Sequence, residues 1–270
     1  MNSKRFDFQD LEEIDFSDEL PAATRFADGE KLFLSTYTQD ELWQALEKAH
    51  IIAELKARGY NSLKLTIEFL TDRDHRFYLT YQDEKILHMR LRLSHFKLHR
   101  HPLMSATKML FIDWLQARHI LKVHQKNPRR PWEERLFPGQ DVPGLGIFNR
   151  LEIFLRNLVV DTHAYGGFNL PEYFHDALLF HRAFRFYDPS REAFFRALLR
   201  DLKGHGAREI SRALSAGKIT DKKKNLVEWH GGEMLIFTHQ PYEEIIFNER
   251  YYKDVENKMR DYKFTITGSS

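Results

Sequence analysis

Gly144 and Gly146 stand at the head of an apolar-periodic run in the stretch Pro143-Gly144-Leu145-Gly146-Ile147-Phe148. A glycine has no Cβ, so backbone amides beside it can approach an anion closely. A helix start adds unpaired N–H donors and the positive end of its dipole. The chemistry this suits is the holding of a phosphorylated ligand, with amides around Leu145, Gly146 and Ile147 as donors. The same residues also read as a plain turn and helix cap. A second candidate is Asp113, a carboxylate inside the apolar run 109–115. There it needs either a partner or a chemical role. A third is Glu172-Tyr173-Phe174-His175, an E-x-x-H spacing that would set a carboxylate and an imidazole on one helix face, as dinuclear metal sites do; the second such pair is missing. The fourth is the segment 118–135 with Lys122, Lys126, Arg129, Arg130 and Trp132. It reads as an anion- or RNA-binding insertion or as a solvated loop.

The composition limits what these groups can serve. The 270 residues, 42% of them hydrophobic, are enough for a sizeable core in one large domain or two small ones. No cysteine is present, which removes disulfides, thiolate metal sites and a cysteine nucleophile, and fits a reducing compartment. The first eighteen residues are charged, punctuated by Phe6, Phe8 and Phe16, with no apolar run suited to a signal peptide. No stretch reaches the ~20 apolar residues that span a bilayer. A cytoplasmic protein without a membrane span is the expectation. The 41 basic and 39 acidic residues leave a charge of +2, so nothing draws the whole chain toward nucleic acid, and any basic site must be local.

The elements that would position these groups are legible as patterns. Residues 1–24 read as a flexible acidic arm. Residues 31–37 suggest a short strand, and Thr38 with Glu41 forms a capping box opening a helix to about Arg58, closed by Gly59. Alternation at Leu63, Leu65, Ile67 and Phe69, at Phe77, Leu79 and Tyr81, and at Leu87, Met89, Leu91 and Leu93 predicts an antiparallel meander. His88, Arg90 and Arg92 would share the far face of its last strand. The run 109–115 is a fourth strand, buried on both sides. Ile147, Leu151, Phe154, Leu155 and Leu158 mark a helix, 165–168 a strand ending in Asn169-Leu170-Pro171, and Phe174, Ala177, Leu178 and His181 the stripe of a second helix. Helices at 191–202, 207–216 and 242–259 and a strand at 233–238 complete the chain. The fold class is α+β, with a mixed, largely antiparallel central sheet flanked by helices. Residues 25–202 read as one domain and 203–270 as a helical C-terminal extension packed on it.

That succession of antiparallel strands, glycine loop, helix, strand, helix and strand resembles the GCN5-related N-acetyltransferase (GNAT) superfamily. Gln140, Gly144 and Gly146 resemble its pyrophosphate-binding loop, and Asn169, Ala177, His181 and Phe186 its following strand and helix. Gln140 stands one residue farther from Gly144 than in the family. His181 replaces the usual tyrosine, and Arg185 the usual glycine. The resemblance covers about 63–188. It implies an acyl-CoA-dependent N-acyltransferase taking acetyl-CoA or another acyl-CoA and a small-molecule or protein amine. Gln140, Leu145, Gly146, Ile147 and Asn169 would contact the coenzyme. His181 would be the general acid, and Asp113, or second Glu172, the base or amine-orienting carboxylate. The alternatives are a non-enzymatic binding protein on the same frame and a metal-dependent enzyme using a His/carboxylate cluster.

Overall fold

The computed structural model describes residues 9–14, 26–27, 30–101, 104, 106–123 and 136–267. Most of the arm 1–24 lies outside the described residues, as does 124–135 of the basic segment. In chain order the elements are β1 (Leu11–Ile14), β2 (Phe26–Ala27), β3 (Glu30–Lys31), α1 (Gln39–Lys48), α2 (Ile51–Ala57), β4 (Leu63–Phe69), β5 (Asp74–Tyr81), β6 (Glu84–Leu98) and β7 (Thr107–Ala117). There follow α3 (Ile120–Val123), α4 (Phe148–Asp161), β8 (Gly166–Asn169), α5 (Phe174–Phe180), β9 (Arg185–Phe186), α6 (Pro189–Asp201) and α7 (Ala207–Ser215). The last are β10 (Ile219–Thr220), β11 (Met234–Phe237), α8 (Gln240–Ile246), α9 (Glu249–Met259) and β12 (Thr265–Ile266). The fold is mixed α+β, with a largely antiparallel central sheet flanked by helices. No helix among the described residues is long and apolar enough to cross a membrane.

The chain forms two compact units, one of residues 15–95 and 108–167, the other of 1–14, 96–107 and 168–270. Residues 203–270 share a unit with 168–202.

In the first unit, β4, β5, β6 and β7 are neighbours in that order. The alternation that predicts the meander sets its register: Leu65 faces Leu79, Ile67 faces Phe77, and Phe77 faces Met89. Gln82 and Asp83, at φ 49° and 64°, make the two-residue turn between β5 and β6, the left-handed pair whose twist matches the strands it joins. Phe77, Leu79, Leu87, Met89 and Leu91 are sealed on one face. There α4 packs Phe154 edge-on to Phe77, ring centres 5.9 Å apart, and Phe33 packs likewise at 5.7 Å. Each such ring contributes about 1.5–3 kcal/mol by burial.

Two local expectations fail for the same reason. The predicted helix 38–58 is two helices, because His50 turns left-handed at φ 59° between α1 and α2. The predicted strand 31–37 is largely a turn: Leu34 and Ser35 have φ 52° and 55°, and the Phe33 amide bonds the Tyr37 carbonyl at 2.7 Å. Burial of Phe33 and Leu34 outweighs the backbone cost, and the Leu34 amide donates to His75 Nδ1 at 2.7 Å.

In the second unit β11 lies between β8 and β9, with Met234 opposite Phe186. Asp188 caps α6 by accepting from the Ser190 amide, with Pro189 in the first turn. Tyr251 of α9 donates to the Phe186 carbonyl, and Asp201 at the end of α6 accepts from Lys263 and the Phe264 amide. The predicted helix 242–259 is divided into α8 and α9, with Asn248 capping the second. The pairing of β10 with β12 had no signal in the alternation pattern, because each has only two residues.

Candidate functional site

The glycine turn is tied to the end of β7. The His119 amide donates to the Pro143 carbonyl at 2.7 Å and the Leu145 amide to the Ala117 carbonyl at 3.1 Å. Leu145 is therefore spent on the fold. Gln140 closes its own turn, its Oε1 accepting from the Phe137 amide at 3.0 Å. Gly146 has φ 68°, and a Cβ there would meet nothing within 4 Å. Ile147, buried, anchors the start of α4, which has no side-chain cap. Among the described residues, the amides of Gly146, Ile147 and Asn149 have no protein acceptor. The open donors lie one step further into the helix than the sequence indicated.

Asp113 has a partner. Its Oδ2 lies 2.8 Å from Arg90 Nη1, and its side chain is 4% exposed. The same guanidinium grips Asp74 through Nε at 2.9 and 3.1 Å. Burial pushes the Asp113 carboxyl above its ordinary range, with Arg90 and Arg92 pulling the other way. This charge network was invisible in the sequence, because it depends on the pairing of β6 with β7.

The other candidates belong to the second unit. His181 follows the last residue of α5 as its C-cap. It is bonded through Nε2 to Glu192 Oε1 at 2.8 Å. Glu192 is fully buried and also accepts from Arg196 Nε at 2.6 Å and the Phe186 amide at 3.2 Å. Burial alone would raise the Glu192 carboxyl, but the bonds from His181 and Arg196 outweigh it and hold it below the usual value. Asn169, 3% exposed at the end of β8, has an Oδ1 that is buried without a hydrogen-bond partner.

The E-x-x-H pair does not form on a helix. Glu172 is exposed and precedes α5, whereas His175 is buried within it. His175 Nδ1 lies 2.9 Å from Ser211 Oγ, and its Nε2 3.5 Å from Asp176 Oδ1. Burial pulls His175 down to about 4 and pushes Asp176 up to about 6. A serine, a histidine and an aspartate thus stand in line, but Ser211 is 1% exposed and has no access to a substrate. The one sequence clue was Ser211 within the buried stripe Ile210, Ala213 and Leu214 of α7. Among the described residues no three metal-ligating side chains gather.

No family model matches the chain, and no curated protein matches it.

Proposed function

We propose that the chain is an acyl-CoA-dependent N-acyltransferase of the GNAT type. The observation that carries this reading is the set of open amides of Gly146, Ile147 and Asn149 heading a fourteen-residue helix, α4, that packs on the β4–β7 strands. Such donors suit a pyrophosphate.

In acyl transfer the amine nitrogen attacks the thioester carbonyl carbon, the C–N bond forms, and the C–S bond breaks. A base takes the amine proton, and an acid returns one to the departing thiolate. His181 is the proposed acid, held through Nε2 by Glu192. Arg90 already gives Asp113 its partner, so the proposed proton acceptor is Glu172, exposed and without an ion pair or hydrogen bond among the described residues. No cysteine is required for direct transfer.

Calorimetric titration with acetyl-CoA and longer acyl-CoAs tests the reading. Saturable binding that Gly146→Val abolishes supports it. No affinity at millimolar acyl-CoA for the folded wild-type chain removes it.

A further inference from the structure

The face of the β4–β7 sheet turned away from α4 carries a second set of polar groups, all in the first unit. Residues two apart share a face. Phe77 points to α4, so Arg76 and Tyr78 lie on the other side, with Glu68 opposite Arg76 on β4, and with Arg90 opposite Arg76 and His88 opposite Tyr78 on β6. Most of these groups are engaged. Arg90 is committed to Asp74 and Asp113, Tyr78 donates to Glu68 Oε2 at 2.9 Å, and Lys85 Nζ lies 3.5 Å above the Tyr78 ring.

Arg76 is the exception. Among the described residues it makes no ion pair or hydrogen bond, and its Nε is buried without an acceptor. His88 Nε2, from the neighbouring strand, is likewise buried and unpartnered. Trp114 of β7 stands beside His88, ring centres 6.1 Å apart, and is 45% exposed. Shielded donors without partners are rare in folded proteins, and an arginine fork matches a planar carboxylate or a phosphate.

We propose that Arg76, His88 and Trp114 form a binding site for a small oxyanion ligand. Its phosphate or carboxylate group takes the Arg76 fork and the Nε2–H of neutral His88, and its body lies against the Trp114 ring. A cation is disfavoured by Arg76, Lys85, Arg90 and Arg92 around the position. A nucleic-acid strand would call for a row of unspent cations, and this face offers a single unspent arginine. The site is independent of the acyl-transfer reading, because α4 packs on the opposite face of the sheet.

The test is an NMR pH titration of the full chain, following the His88 imidazole and the Trp114 indole at constant ionic strength. The added salts are chloride, inorganic phosphate, acetate and benzoate. The groups around His88 are Glu68, Arg76, Tyr78, Lys85, Arg90, Asp113 and Trp114, so the chloride series sets the baseline. Phosphate, or acetate and benzoate, should raise the His88 midpoint from about 4 by roughly one unit, saturably, with the indole shifting in step. Which salt acts tells phosphate from carboxylate. Arg76→Gln should abolish the shift and Arg76→Lys, which keeps the charge but loses the fork, should weaken binding about tenfold. Trp114→Ala, at an exposed position, should weaken benzoate and leave phosphate unchanged, and it carries the test if Arg76→Gln does not fold. His88 shifts that are equal in wild type and Arg76→Lys, or no response to any oxyanion, would overturn the site.

Discussion

Arg90 holds Asp113 at 2.8 Å while its Nε holds Asp74 at 2.9 Å, so one half-buried guanidinium neutralises two buried carboxylates on the two strands that flank its own. The first prediction follows from that economy. Arg90→Leu strands both acids where water is scarce and should destabilise the chain by about 3–5 kcal/mol, the usual result of removing one partner of a buried pair. Asp113→Asn leaves Arg90 its bond to Asp74 and should cost less. Urea unfolding of both variants at neutral pH checks the order. A larger loss for Asp113→Asn would show that the pair is organised around the acid.

Gly146 allows stability to be separated from ligand binding. At φ 68° an alanine suffers the left-handed penalty of roughly 1–2 kcal/mol, although nothing stands within 4 Å of its Cβ. Asparagine tolerates that conformation better and should cost less. Both leave the amides of residues 146, 147 and 149 in place, so Gly146→Asn should retain acyl-CoA affinity in calorimetry. Gly146→Val, strained in the backbone and bulky at the helix start, should lose it. Equal affinity in all three would detach the turn from coenzyme binding.

What the sequence disclosed and what it hid divide along one physical line. The meander was readable because alternation and a two-residue turn are local, and pairing of Leu65 with Leu79 follows from them without further information. The glycine turn heading α4 was readable for the same reason. The breaks at His50 and at Leu34 were not: a histidine signals a positive φ only weakly and a leucine not at all, and at Leu34 the positive φ accompanies burial of the side chain. The Arg90–Asp113 pair joins strands 23 positions apart, and His175 meets Ser211 across 36 positions, so both needed a register or helix packing that periodicity does not give. His181 was placed on an apolar stripe, but its tie to Glu192 on the next helix depends on the angle between α5 and α6.

The His181–Glu192 bond separates a chemical role from a structural one. His181→Phe leaves Glu192 its bonds to Arg196 and Phe186, so stability should fall modestly. If His181 is the proton donor, turnover should drop by about 10²- to 10⁴-fold with acyl-CoA affinity kept. Glu192→Leu leaves Arg196 and the Phe186 amide unpaired and should cost about 3–5 kcal/mol. Because the folded-state acidity of Glu192 lies below 4.5, the stability it gives is complete above that pH and is lost as pH falls through the folded value. Parallel melting and turnover measurements decide: loss of stability without loss of rate in His181→Phe would make the residue structural.

Two buried imidazoles set the last prediction. His88 is held at about 4 by burial and by Lys85 and Arg76, and His175 at about 4 by burial, against 6.5 for a free histidine. Between pH 6.5 and 4 the unfolded chain therefore binds protons that the folded chain refuses, and stability must fall as pH is lowered through that window and stay level above it. After discounting for solvent screening, each histidine accounts for on the order of 1–2 kcal/mol. Asp176 acts in the opposite sense. Its carboxyl is pushed up to about 6 from 3.8, so the folded chain binds the extra proton and stability falls as pH rises through that range. Urea midpoints from pH 4 to 7 should show a shallower acid slope in His88→Gln and His175→Gln and a steeper one in Asp176→Asn. Unchanged slopes in both histidine variants would mean that neither imidazole is kept neutral by the fold, which would contradict the burial of His175 against Ser211.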